Sequence, residues 1–157
     1  MKKSQPKILV ASGVNLDLLG HREPEIYGSD TLKDMESLLR KNWQNEAVSF
    51  NGSGYQLVFF QSNDEFRFLS ELDKGYAGAV INAGAWTHTS LALADRLAGL
   101  SLPFVEAHVS DLSKREDFRQ RSFLKRHAIE VIQGLGIQSY WVALQILVKY
   151  LDGRRQG

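Results

Sequence analysis

The chain is predicted to fold as a flavodoxin-like, doubly wound α/β domain, a five-stranded parallel sheet with helices on both faces. Short β-branched or apolar runs alternate with longer segments of helical period, the signature of strands joined by crossover helices. The runs also show little polar alternation, as strands covered on both faces require. A length of 157 residues suits one sizeable core and leaves little room for a second. Residues 1–157 are therefore read as a single domain, with 1–6 and 153–157 as flexible tails.

The expected strands are residues 8–11, 57–61, 79–82, 104–108 and a weaker 130–133. Between them, 31–45 places Leu32, Met35, Leu38 and Leu39 on one stripe, with Ser29 or Asp30 available as cap. Residues 65–74 repeat the pattern through Phe66, Leu69 and Leu72. Residues 90–99 do so through Leu91, Leu93, Ala94 and Leu97, ending at Gly99. A last helix over 140–151 carries Trp141, Leu144, Leu147 and Val148, and residues 51–54, Asn-Gly-Ser-Gly, read as a surface loop.

Composition narrows the partners. With 43% hydrophobic and 24% charged residues the chain has an ordinary soluble balance, and a formal net charge of +1 offers no footprint for nucleic acid or an anionic membrane. A small-molecule ligand is expected. Cysteine is absent, which excludes disulfides, thiolate zinc sites and cysteine nucleophiles, and a cytoplasmic location follows as the simplest expectation. The basic start leads into only four apolar residues, 8–11, too short for a secretory segment. No later run approaches the roughly 18 apolar residues that a membrane span needs.

Open α/β sheets bind ligands beyond the carboxyl ends of their strands, which selects Asn15, residues 82–90 and residues 106–119. Asn82 and His88 bracket a stretch of amide, imidazole and hydroxyl groups; Thr89 or Ser90 reads as the cap of the next helix. Glu106 and His108 stand two apart on a strand, so their side chains share a face and can bond directly. Such a carboxylate fixes the imidazole tautomer and favours the protonated ring, a candidate general acid. A structural pair, or a metal site completed by His88, uses the same residues, although no recognised zinc spacing is present.

The segment from Gly20 to Gly28 contains Pro24 and reads as a glycine-bounded loop able to close over a site, bringing Arg22 near Tyr27. Tyrosine ordinarily ionises near ~10, so a phenolate at neutral pH costs about 4 kcal/mol, much of which a guanidinium offsets. Tyr27 is thus a candidate base, while Glu23 and Glu25 read as solvated charges. At helical spacing Arg115 and Arg119 share a face and suit a carboxylate or a hydroxyl-rich anion, with Phe118 expected to tuck inward and Lys114 and Arg121 to face solvent. No lysine lies in an apolar strand run, which leaves Schiff-base chemistry without a candidate. A flavin- or nucleotide-binding module would need a phosphate cradle, and Ser12-Gly-Val-Asn-Leu16 lacks the glycine density.

Several motifs in order carry a resemblance: Gly13-Val-Asn-Leu-Asp-Leu-Leu-Gly20, Arg22-Glu-Pro-Glu-Ile-Tyr-Gly28, Phe60-Gln-Ser-Asn63, Asn82-Ala-Gly84 with Thr87-His-Thr-Ser90, Glu106-Ala-His-Val-Ser110, Arg115-Glu-Asp-Phe-Arg119 and Gly134-Leu-Gly136. From about Lys7 to Leu151 the chain resembles the type II 3-dehydroquinate dehydratases. The resemblance implies anti elimination of water from 3-dehydroquinate through an enolate, giving 3-dehydroshikimate in the shikimate or quinate pathway, with no cofactor and no metal. By matching position, Tyr27 would take the C2 proton with Arg22 holding it as phenolate, and Asn15 would stabilise the enolate through water. His108, oriented by Glu106, would protonate the leaving C1 hydroxyl. Asn82, His88, Ser110 and Arg119 would bind substrate, with backbone donors around Val109 and Ser110 receiving its carboxylate and Arg115 acting as lid partner. Asp95 would reach a neighbouring subunit's site in a homododecamer built from trimers. The sequence departs from the family's usual Asn-Gly-Pro-Asn at Ser12-Gly-Val-Asn15, which removes a proline restraint from that turn, and has Asp111 where asparagine is usual.

Overall fold

The computed structural model describes residues 4–45 and 54–155. Residues 51–53 of the expected loop, like 1–3 and 156–157 of the expected tails, lie outside the described residues. Strands β1 (Lys7–Ser12), β2 (Gln56–Gln61), β3 (Gly78–Asn82), β4 (Phe104–His108) and β5 (Val131–Gln133) form one parallel sheet in the order β2-β1-β3-β4-β5. This is the flavodoxin-like order, with the chain reversing direction between β1 and β3.

Helices α1 (Pro24–Tyr27), α2 (Leu32–Gln44), α3 (Glu65–Glu71), α4 (Trp86–Thr89), α5 (Leu91–Leu100) and α6 (Gln138–Arg155) connect and flank the strands. Alternate residues of the central strands serve two separate cores. Ile8, Val10, Val80 and Val105 pack with Met35 and Leu39 of α2 and with Leu144, Leu147 and Val148 of α6. Leu9, Ala11, Ala79, Ile81 and Phe104 pack on the other face with Phe68 of α3 and Leu93, Ala94 and Leu97 of α5. Burial on both sides explains why these strands read as continuous apolar runs.

Several element ends differ from expectation. The cap of α2 is Thr31 rather than Ser29 or Asp30: its hydroxyl accepts from Asp34 N–H at 3.1 Å and the Asp34 carboxylate accepts from Thr31 N–H at 2.8 Å. That reciprocal box satisfies two otherwise orphaned donors. On α3 the inward positions are Phe68 and Leu72, four apart, whereas Phe66 is 76% exposed because it stands about 200° round the helix from Phe68. Gly99 does not end α5; Leu100 still packs on the core, and the turn is made at Ser101, a left-handed residue with φ 51°. Helix α6 continues through Gly153 to Arg155, and Tyr55 beneath its end donates to the Asp152 carboxylate at 3.0 Å.

Leu144 is wholly buried between α6 and the sheet. Leu144→Ala is expected to lower the unfolding free energy by about 2–5 kcal/mol in urea titrations, and a loss below about 1 kcal/mol would contradict this packing.

Candidate active site

Where β1 and β3 end, their backbones touch. Gly13 N–H donates to the Asn82 carbonyl at 2.7 Å. Gly84, at φ 60°, lies so close to the next turn that a Cβ would stand 2.5 Å from the Val14 carbonyl oxygen. The β1 turn passes through Asn15 in a left-handed conformation, φ 63°, and is secured from the end of β2. Asn63 Oδ1 accepts from Asn15 N–H at 2.7 Å, and Gln61 Nε2 donates to the Gly13 carbonyl at 3.3 Å. These bonds restrain the turn where Val14 replaces proline.

Below this contact the Tyr140 side chain is fully buried and its hydroxyl bonds Ser12 Oγ at 2.9 Å. Burial pushes its ionisation up to about 12, so it stays a neutral phenol joining the ends of β1 and α6. Asn82 Oδ1 accepts from Gly84 N–H at 3.2 Å, which orients an amide only 3% exposed toward the crevice.

The crevice is lined by Asn15, Arg22, Tyr27, Asn82, His88, His108, Val109, Ser110, Arg115 and Arg119. Of the residues expected from sequence, Glu106 lies directly beneath His108, and Asp95 lies elsewhere, exposed on α5. Glu106 and His108 bond as their spacing predicts, Nε2 to Oε1 at 2.7 Å. A carboxylate only accepts, so Nε2 carries hydrogen and Nδ1 is left as the nitrogen able to deliver a proton elsewhere. Glu106 has no solvent exposure. Burial pushes its carboxyl up most strongly, but bonds from His108, Thr87 and Ser122 together hold it below the usual carboxylate range. Sequence reasoning missed Thr87 and Ser122 in this role; the signal available was that a carboxylate on a buried strand must find donors.

The loop from Gly20 differs from expectation at Pro24, which begins the helical turn α1 instead of preventing one, since proline's fixed φ and missing N–H suit the first helical position. The turn aims Tyr27 into the crevice. The guanidinium that reaches its hydroxyl is Arg115, Nη1 to Oη at 2.8 Å. Arg22 lies 5.9 Å from the centre of the ring and spends Nε on Glu23 at 2.9 Å. Arg115 and Arg119 do not share a helix: residues 112–114 and 117–119 form two short 3-10 turns separated by an extended Arg115. Both still line the crevice, and Phe118 points outward, 70% exposed, beneath the Arg119 guanidinium at 5.4 Å. Among the described residues no three His, Asp or Glu side chains are grouped to hold a metal ion.

Ser90 caps α5 by accepting from Leu93 N–H at 2.9 Å, while Thr89 instead donates back to the Ala85 carbonyl at 3.3 Å. His88 Nδ1 lies 2.8 Å from the Arg121 carbonyl. Nδ1 is therefore protonated, and Nε2 of the neutral ring is an acceptor for a ligand hydroxyl. Burial, aided by His108 and Arg119, holds its ionisation below the ordinary histidine value despite the Arg121 bond and Glu106.

The sheet and this cluster define an α/β protein with a polar crevice at the carboxyl ends of its strands. The dehydroquinase class II family matches residues 6–148. A 3-dehydroquinate dehydratase of Alkalilimnicola ehrlichii is 45% identical over 156 residues, 97% of this chain and 98% of that protein. Another, of Prochlorococcus marinus, is 45% identical over 94% of this chain and 97% of its own length. The crystal structure of a type II dehydroquinase from Butyrivibrio crossotus superposes with a TM-score of 0.82 at 32% identity, covering 92% of this chain and 99% of that one. One from Propionibacterium acnes gives 0.80 at 34%, covering 91% and 96%. The chain belongs to the class II dehydroquinase family.

Because partial burial favours neutral His88 in the folded chain, the unfolded chain takes up its proton first as pH falls below the ordinary value of 6.5. Its contribution to stability is present above that value and is lost on acidification. Stability is expected to fall less between neutrality and about pH 5 in His88→Asn than in the parent chain, measured by urea unfolding; equal losses would contradict the neutral assignment.

Proposed function

We propose that this chain dehydrates 3-dehydroquinate to 3-dehydroshikimate by proton transfer between Tyr27 and His108, without a cofactor. The observation that carries the reading is the placement of Tyr27, its hydroxyl bonded to Arg115 at 2.8 Å, in the same crevice as a His108 backed by a buried Glu106. Arg115, with Arg22 beside the ring, favours the phenolate, which removes the C2 proton of the substrate. Electrons move onto the C3 carbonyl oxygen, where Asn15, through water, stabilises the enolate. The enolate collapses, the C1–O bond breaks, and imidazolium Nδ1 of His108 supplies the proton that lets the hydroxyl leave as water. The cycle closes when the proton on Tyr27 returns to solvent and His108 is reprotonated.

Asn82, His88, Ser110 and Arg119 hold the substrate, the Nε2 of His88 accepting from a hydroxyl. Backbone donors around Val109 and Ser110 receive the carboxylate; the carbonyls of these two residues are turned away onto Gly136 and Gly134 N–H. The exposed position of Asp95, outside this chain's own crevice, is compatible with service to a neighbouring subunit, and we assign the chain to a homododecamer of trimers in the cytoplasm. Among the described residues no helix is long and apolar enough to cross a membrane, and the small net charge of +1 favours a small-molecule partner over nucleic acid.

Adding 3-dehydroquinate should produce the ultraviolet absorbance of a conjugated enone. Tyr27→Phe and His108→Ala are each expected to lose about 10²-fold or more in kcat while substrate still binds. Retention of kcat by either variant would sink these assignments. Borohydride added with substrate should leave no covalent adduct, and a modified lysine would replace this mechanism with Schiff-base chemistry.

A further inference from the structure

With no exposure to solvent, the Glu106 carboxylate depends wholly on protein donors. Three side chains reach it. His108 Nε2 lies 2.7 Å from Oε1, Thr87 Oγ1 donates to the same oxygen, and Ser122 Oγ lies 2.8 Å from Oε1 and 2.9 Å from Oε2. Ser122 alone among the described residues bonds Oε2. The direction of that bond is set by its surroundings, because Leu124 N–H and Lys125 N–H both donate to Ser122 Oγ, each at 3.1 Å. Its acceptor positions are filled, so its hydrogen turns to the carboxylate, which is nearer than Thr87 Oγ1 at 3.3 Å. The Thr87 carbonyl accepts from Phe123 N–H at 2.9 Å, which ties the segment carrying Ser122 to α4.

One proton shared by Glu106 and His108 has two resting places. Burial favours the neutral pair, carboxylic acid and imidazole, because two charges in a dry site lose their hydration. Donors aimed at both carboxylate oxygens favour carboxylate and imidazolium, since a protonated carboxyl would confront them with a hydrogen of its own. Of the other ionisable groups around the pair, His88 on α4 and Arg119 stand near it, and Arg22, Tyr27 and Arg115 line the same crevice; the guanidiniums oppose an imidazolium, and a Tyr27 phenolate would favour one. We propose that Thr87 and Ser122 are positioning residues which, by donating to Glu106, keep the shared proton on His108 and so hold it ready as the acid of the reaction. The last clause rests on the reading of His108 as proton donor; the placement of the proton does not.

The experiment is a titration of the full chain carrying histidine labelled with carbon-13 at Cε1, the His108 signal assigned by its loss in His108→Gln. In Thr87→Val and in Ser122→Ala the pH at which that signal moves is expected to fall by about one unit. Thr87→Ser and Ser122→Thr, which keep the hydroxyls, should restore it. Thr87→Val leaves the turn at Leu124 and Lys125 intact, so a shift common to both variants separates donation to Glu106 from disturbance of that turn. An unchanged titration in the two folded variants overturns the proposal. With 3-dehydroquinate, the high-pH limb of kcat should move to lower pH in both variants with KM little altered. A parent chain that fails to turn over would refute the dehydratase reading alone, because the titration decides where the proton rests.

Discussion

The contact between the backbones leaving β1 and β3 is the constraint on which the site depends. The two strands are neighbours, yet the chain after β1 runs to α2 on one face of the sheet and the chain after β3 runs to α5 on the other. A crevice opens where neighbouring connections part company. Gly13 and Gly84 let the departing turns come together before they diverge. Asn15 and Asn82 consequently both line the crevice. The turn through Gly84 also sets where α4 begins, and hence where Thr87 and His88 point.

The two halves of the site are built differently. The proposed acid half belongs to β4, with Glu106 sealed inside the protein and donors from His108, Thr87 and Ser122 aimed at it. The proposed base half sits on a single helical turn between Pro24 and Tyr27, reached through Glu23, a non-glycine residue at φ 41°. Among the described residues the hydrogen bond to its hydroxyl comes from Arg115, itself between two short turns. A rigid strand suits the group whose proton must be aimed at one oxygen, and loops suit the group that covers the substrate after it enters.

What was legible in the sequence follows from this construction. Strands buried on both faces leave continuous apolar runs, and β1, β3 and β4 stand out for that reason, while β2, at the edge of the sheet, is only partly buried. Glu106 and His108 were legible as a pair because the period of a strand fixes which side chains share a face. The helical spacing of Phe66, Leu69 and Leu72 was less decisive, since Phe68 offers an alternative inward position and a short helix does not choose between stripes by pattern alone. Arg115 and Arg119 have helical spacing without being helical, because the backbone breaks at Arg115. The partner of Tyr27 was read as Arg22 from nearness in sequence, whereas the guanidinium that bonds its hydroxyl comes from 88 positions away. Ser122 carries no local signal at all, and only the packed structure shows its hydroxyl on Glu106.

Charge within the crevice is balanced unlike charge over the chain. Arg22, Arg115 and Arg119 all line it. Arg22 has Glu23 as its partner, but Arg115 and Arg119 share Glu116, at 3.2 Å and 3.6 Å, and that carboxylate is 53% exposed. Screening by water weakens what an exposed carboxylate can neutralise. Arg119 Nε is buried and has no hydrogen-bond partner among the described residues. Two guanidiniums competing for one solvated carboxylate leave local positive charge, which a small carboxylate-bearing ligand can match while the protein stays near neutrality as a whole.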